Sequence, residues 1–197
     1  MIKIKLSFLA CLFTYLVSAQ KVHEFFNSYE DYVAGKAVPG VVLTKMKDFS
    51  SSIVITENGT EQKVKASALK YPWFINDYIL IRAFDGDFYN VVVAGKLCFY
   101  IKVGEAGVYK NGKGGFTFSP KFSDSWPDEY YSVGPNGPIE KLKGKILEEY
   151  LEKNGLLSQY ENDPQFKREA KDCVRCWQEK KTKKSIRYIE LLNEKLK

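Results

Sequence analysis

Histidine is nearly missing from this chain: 197 residues contain one, His23. Catalysis by a cysteine–histidine pair would therefore have to bring Cys98 to His23, since no other imidazole exists. Cysteine is scarce too, with Cys11, Cys98, Cys173 and Cys176 making up the set of four. That is too few for a disulfide framework, and the Cys173–Cys176 pair has neither a second pair nor a nearby histidine to complete a zinc site. After residue 17 no stretch is apolar enough to span a bilayer. The Gly-x-x-x-x-Gly-Lys-Ser/Thr order of a phosphate loop is missing. Lys110-Asn111-Gly112-Lys113-Gly114-Gly115 imitates it superficially but leads into no helical pattern, so it reads as a hairpin connection. There is no internal repeat and no low-complexity segment. The formal charge of +6 is mild: Lys3 and Lys5 supply two charges, residues 20–137 balance, and the other four fall in the C-terminal third. Such a balance selects no polyanion, so no nucleic-acid partner is expected, and the Lys-rich run 180–184 reads as a solvated helix end. Nucleotide, metal and cofactor chemistries have no visible equipment.

The N-terminus supplies the first positive signal. Lys3 and Lys5 precede an apolar run over 6–17, and Val17-Ser18-Ala19 is a small-residue cleavage pattern before Gln20. Residues 1–19 are expected to be a secretory signal peptide, too short for a comfortable span. A lipoprotein reading at Cys11 is set aside, because cleavage there leaves an apolar stub and Phe8 stands where Leu is expected. The expectation is an exported protein, periplasmic or extracellular.

The chain then divides by pattern. Ser28-Tyr29-Glu30-Asp31 resembles a capping box opening a short helix that Gly35 closes. Pro39-Gly40 turns into a strand over 41–45. Asn58-Gly59 is a preferred hairpin pair between 52–57 and 60–69, and this turn role accounts for Asn58 without glycosylation at Asn58-Gly59-Thr60. Tyr71-Pro72-Trp73-Phe74 reads as an aromatic break. Residues 78–103 follow as a three-stranded meander, with turns at Asp85-Gly86 and Ala94-Gly95-Lys96. Both faces of this meander are apolar, Ile79, Ile81 and Ala83 against Tyr78, Leu80 and Phe84 with Arg82 among them, so a cover is expected on each side. Residues 104–107 and 111–115 read as loops, 116–119 as a short strand, and 130–134 as a last edge strand. Gly134-Pro135-Asn136-Gly137 is the clearest boundary. Beyond it Pro138 suits a helix N1 position, apolar residues recur at helical spacing to 153, and Asp163-Pro164 opens another helix. The expected class is α+β: an antiparallel β unit with a short N-terminal helix over 20–134, then a helical region over 138–197 packed on or appended to the sheet.

Two groups of residues remain as candidates. Cys173 and Cys176 sit one helical turn apart, within reach of a local disulfide, while Cys98 alternates into a strand as a small buried hydrophobe. A redox centre would want its Cys-x-x-Cys at a helix N-terminus, and here the pair lies inside a predicted helix. Trp73, Phe74, Trp126, Tyr130 and Tyr131 fall in or beside predicted loops and edges. Aromatic platforms of that kind hold a sugar ring or a partner's surface, and packing beneath loops explains them as well.

Several segments together carry a resemblance: Ser18-Ala19-Gln20, residues 28–36 beginning Ser-Tyr-Glu-Asp-Tyr, Ile81-Arg82, Gly95-Lys96-Leu97-Cys98-Phe99-Tyr100, Tyr131-Ser132 with Gly134 and Gly137, and residues 187–193 ending in Asn193. In these the chain resembles a family of uncharacterised secreted proteins of Gram-negative bacteria, for which no activity is known. The resemblance implies an envelope origin and transfers no site residue. The expected function is a non-enzymatic binding or structural component of the bacterial envelope with a protein or glycan partner. The alternative is a glycan- or cell-wall-acting enzyme, which would need two carboxylates across a cleft; Asp85 and Asp87 are available but read as turn residues.

Overall fold

Two tight turns organise the β structure. At Asn58 and Gly59 φ is 49° and 79°, and at Asp85 and Gly86 it is 46° and 81°, the positive pairs that match the twist of a two-residue hairpin. The computed structural model describes residues 23–47, 50–110, 116–120, 127–164 and 174–197, with backbone alone at 106–110, 116–120 and 174–177. Around the first turn, β3 (Ser52–Glu57) pairs with β4 (Thr60–Lys65) and with β2 (Val41–Met46) in a three-stranded antiparallel sheet. Around the second, β6 (Ile79–Phe84) and β7 (Asp87–Val93) continue into β8 (Leu97–Lys102) as the expected meander.

The meander is the centre of a larger sheet. Its seven strands run β1 (Phe25–Phe26), β5 (Trp73–Asn76), β6, β7, β8, β11 (Glu129–Val133) and β12 (Glu140–Lys141), all antiparallel. A separate hairpin joins β9 (Ala106–Lys110) to β10 (Phe116–Pro120). Four helices accompany the sheets among the described residues: α1 (Tyr29–Val33), α2 (Gly144–Lys153), α3 (Leu157–Asn162) and α4 (Val174–Lys195). Ser28 caps α1 by accepting from the Asp31 N–H at 3.1 Å, and Gly35, at φ 65°, closes it. The protein is therefore α+β, with its strands antiparallel. No helix among the described residues is long and apolar enough to cross a membrane.

Pairing places alternate residues of the large sheet on two faces. The Ile81 face meets two covers. Over Phe25, Phe74, Ile81, Ala83 and Phe88 lie Val41, Leu43, Ile53 and Ile55 of the three-stranded sheet. Over Val92, Val93, Leu97, Phe99 and Ile101 lie Leu147 and Leu151 of α2 and Tyr188, Ile189 and Leu192 of α4. The second sheet and the helices thus cover one face of the large sheet side by side. The Arg82 face carries Phe26, Trp73, Leu80, Tyr89, Val91, Cys98 and Tyr100, with Tyr29 and Tyr32 of α1 and Ile139 against it.

Several expectations are corrected. Trp73 and Phe74 belong to β5 rather than to an aromatic break, because Asp77 and Tyr78 adopt positive φ (48° and 69°) and form a hairpin turn without glycine. Residues 66–68 form a 3₁₀ turn that ends the β4 alternation. Residues 106–107 belong to β9, not to a loop. Pro138 starts no helix: Ile139 is buried against the Arg82 face, β12 pairs outside β11, and α2 begins only at Gly144. Backbone pairing along an otherwise open sheet edge outweighs helix propensity there, so β11 is not the edge strand. The Lys-rich run is not a solvated helix end either, since it lies within α4 with Thr182 and Lys184 buried.

Candidate functional site

Along the Arg82 face, register alone builds a row. Phe26 pairs with Trp73, Trp73 with Arg82, Arg82 with Tyr89, and Tyr89 with Lys102. Arg82 is 5% exposed. Burying a guanidinium is costly unless its charge and donors are satisfied. Here its Cζ lies over the rings of Trp73 at 5.3 Å and Phe84 at 5.2 Å, and Nη1 donates to the Tyr100 hydroxyl at 3.3 Å. No carboxylate among the described residues pairs with it.

The hydrogen bonds beyond Arg82 have one direction. Ser132 Oγ donates to the Gly134 carbonyl at 2.6 Å, so the contact of 2.8 Å between Tyr100 and Ser132 is donated by the phenol. Arginine offers no acceptor, and the chain therefore runs Arg82, Tyr100, Ser132, Gly134 with every proton pointing away from the guanidinium. Burial pushes the Tyr100 phenol well above its ordinary value, with the nearby Cys98 adding to it, which keeps that proton in place. Tyr29 of α1 packs on Trp73 at 5.4 Å, and Asn136 donates to Glu30 at 3.0 Å, fastening α1 to the turn after β11. Residues 29, 82, 100 and 132, from four separate stretches of the chain, thus meet at this face.

A polar corner adjoins the row. Tyr89 and Tyr130 meet edge to face at 5.2 Å, and burial raises the Tyr89 phenol to about 12. Asp87 pairs with Lys102 at 2.7 Å and Asp128 with Lys141 at 2.5 Å. Glu105 Oε2 accepts from the Asp128 N–H at 3.2 Å, yet burial outweighs that bond and raises the Glu105 carboxyl. Asp85 is a turn residue and Asp87 an ion-pair partner, so the carboxylates named from sequence do not face each other freely. Glu105 and Asp128 were missed, and no local pattern marks them, because β8 and β11 bring them together across 23 residues.

The five aromatics chosen from sequence do not form one surface. Trp73 and Tyr130 share the Arg82 face. Phe74 lies on the other side between Phe25 at 5.1 Å and Phe88 at 5.7 Å, wholly buried, so it offers no platform. Trp73, at 2% exposure, is no free platform either but a wall of the Arg82 site. Tyr131 packs toward the helices and donates to Glu140 at 3.1 Å. Trp126 and Cys173 lie outside the described residues, as does the side chain of Cys176. Cys98 is a free thiol with no exposed surface. Phe84, Tyr89 and Tyr100, absent from the five aromatics, complete the face; strand alternation had placed Phe84 on the side of Arg82 without marking it as a contact.

A second polar group sits beneath α4. Thr182 Oγ1 donates to Glu129 Oε1 at 2.6 Å, Arg187 pairs with the buried Asp163 at 3.1 Å, and Lys184 Nζ lies 4.0 Å from the Tyr160 ring centre. Burial raises the Glu129 carboxyl, against the opposing hydrogen bond from Thr182 and the charge of Lys181. With its folded value above the ordinary 4.5, the group stabilises the fold fully at lower pH and loses that contribution as pH rises through the folded value. Glu129→Gln keeps an acceptor for Thr182 and removes the titration. Its melting temperature is expected above that of the parent at pH 8, with the gap closing toward pH 4; an equal gap at both pH values would sink the assignment.

Among the described residues, no group of three His, Cys, Asp or Glu side chains is placed to hold a metal ion. Compared with protein-family models, with curated proteins and with solved structures, the chain matches none.

Proposed function

We propose that the protein is a non-enzymatic binding component of the bacterial envelope, exported by its N-terminal segment, and that the Arg82 face is its binding surface. One observation carries this reading: a nearly buried guanidinium set among aromatic side chains, with no carboxylate partner among the described residues. A charge that costs desolvation and returns one neutral hydrogen bond is a poor device for stability alone, and a fitting one for capture. Partly exposed Phe84 and Tyr130 lie on the same face and give a partner aromatic area to rest on. A photo-crosslinking residue placed at Phe84 or at Tyr130 in intact cells is expected to yield the same adduct by mass spectrometry. The same residue at exposed Glu61 of β4 should not yield it. An adduct formed only from Glu61, or none from either aromatic position, would overturn the reading.

One observation favours the alternative, a glycan-acting enzyme: a carboxyl raised by burial, Glu105, beside Asp128 and the phenol of Tyr130. Glycoside hydrolysis uses two carboxyl groups, one of them raised by its surroundings. Under the binding reading, purified cell-wall sacculi incubated with the protein release no soluble fragments. Release that Glu105→Gln abolishes would establish the enzyme instead.

A further inference from the structure

The binding reading leaves the ligand's chemistry open, and resting on that reading, we infer that Arg82 receives a carboxylate, so that the ligand is a monoanion carrying one planar carboxyl group. Three features lead there. The guanidinium has five N–H donors and spends one, at 3.3 Å, on Tyr100. Tyr100 and Ser132 are neutral and commit their protons down the chain to Gly134, so neither balances the guanidinium charge. The only side-chain polar atom sealed from solvent without a partner among the described residues is His23 Nδ1, so the unspent Arg82 nitrogens are not fully sealed from solvent.

The walls set the class of anion. Trp73 and Phe84 present ring faces to the guanidinium, and Tyr89 stands opposite it on β7. Between such apolar walls, a doubly charged, strongly hydrated anion would be desolvated against a single positive charge. The next cation in the row, Lys102, is already paired with Asp87. A carboxylate brings one charge, and its two oxygens match the planar fork of the guanidinium. The group can belong to an acidic sugar or to a peptide C-terminus, and the shared carboxylate is what the site reads.

Trp73 reports on the site directly, being one of three tryptophans. With Trp126→Phe and Trp177→Phe in the full chain, its fluorescence is titrated with galacturonate and with N-acetylalanine. Galactose and N-acetylalanine amide serve as neutral counterparts, and inorganic phosphate as a dianion. A saturable change is expected with at least one carboxylate, at least tenfold stronger than with its neutral counterpart or phosphate, and which carboxylate responds identifies the source. Arg82→Met should abolish the response, and Arg82→Lys, which keeps the charge without the fork, should weaken it about tenfold. Thermal melts confirm that each variant is folded, and if Arg82→Met is not, Arg82→Lys decides. Equal binding of a neutral counterpart would overturn the carboxylate inference while leaving the binding face in place, as would stronger binding of phosphate. A response that survives either Arg82 variant unchanged, or no response to any carboxylate, overturns it as well.

Discussion

Replacing Asn193 by Ala is expected to destabilise the fold by about 2–5 kcal/mol, because one side chain closes two backbone groups of the central sheet. The Leu97 N–H donates to Asn193 Oδ1 at 2.9 Å, and Asn193 Nδ2 donates to the Leu97 carbonyl at 2.9 Å. The amide at the end of α4 thus acts as a peptide unit added to the start of β8, and truncation orphans a donor and an acceptor together. Gly95 makes the approach possible: a Cβ there would lie 2.5 Å from Asn193 Cγ and Nδ2. Asn193 is short and held at both ends, so it has little freedom to give way. Gly95→Ala should therefore be destabilising, and markedly less so in the Asn193→Ala background, since the two sites share one contact. Urea denaturation of the four proteins measures this. A loss under about 0.5 kcal/mol for Asn193→Ala would mean that water replaces the clamp without penalty.

A chain truncated after Val133 is expected not to unfold cooperatively, because truncation removes one of the two covers of the Ile81 face. Val92, Val93, Leu97, Phe99 and Ile101 are all under 9% exposed with α2 and α4 in place. Without the helices they form a contiguous apolar patch of the kind that drives aggregation, and Leu97 also loses its Asn193 clamp. A milder version is Leu192→Ala in the full chain. Leu192 has no exposed surface, and a cavity at such a site costs about 2–5 kcal/mol. Calorimetry and sedimentation decide the matter. A soluble truncated protein with a sharp transition would mean that the β unit is independent of the helices.

How far the fold could be read from sequence depended on turn chemistry. Asn58-Gly59 and Asp85-Gly86 announce their hairpins because a glycine accepts the positive φ that the turn requires. The β5–β6 turn makes the same bend with Asp77 and Tyr78, and no rule of composition selects a tyrosine for φ 69°. The flanking strand pairing imposes that conformation, so Trp73 and Phe74 were misread as a break. Pro138 is the converse case. Its fixed φ suits a helix start and a turn into an edge strand equally well, and the free edge of β11 decided between them.

The amino-acid sequence by itself determined the meander, its two apolar faces, the α1 cap and the helical character of the C-terminal region, because each rests on local periodicity or a local turn. It also placed Arg82 on an apolar strand, but it could not say whether that charge points to solvent. Tertiary structure decided that Arg82 lies between Trp73 and Tyr89, that Glu105 meets Asp128, and that Asn193 closes onto Leu97. These pairings join residues far apart in the chain, and their register is set by which faces the second sheet and the helices cover. Burial then acts on groups whose chemistry is ordinary in sequence, raising the Glu105, Glu129 and Tyr100 values. Desolvation is a property of the assembled environment, and no local pattern of residues encodes it.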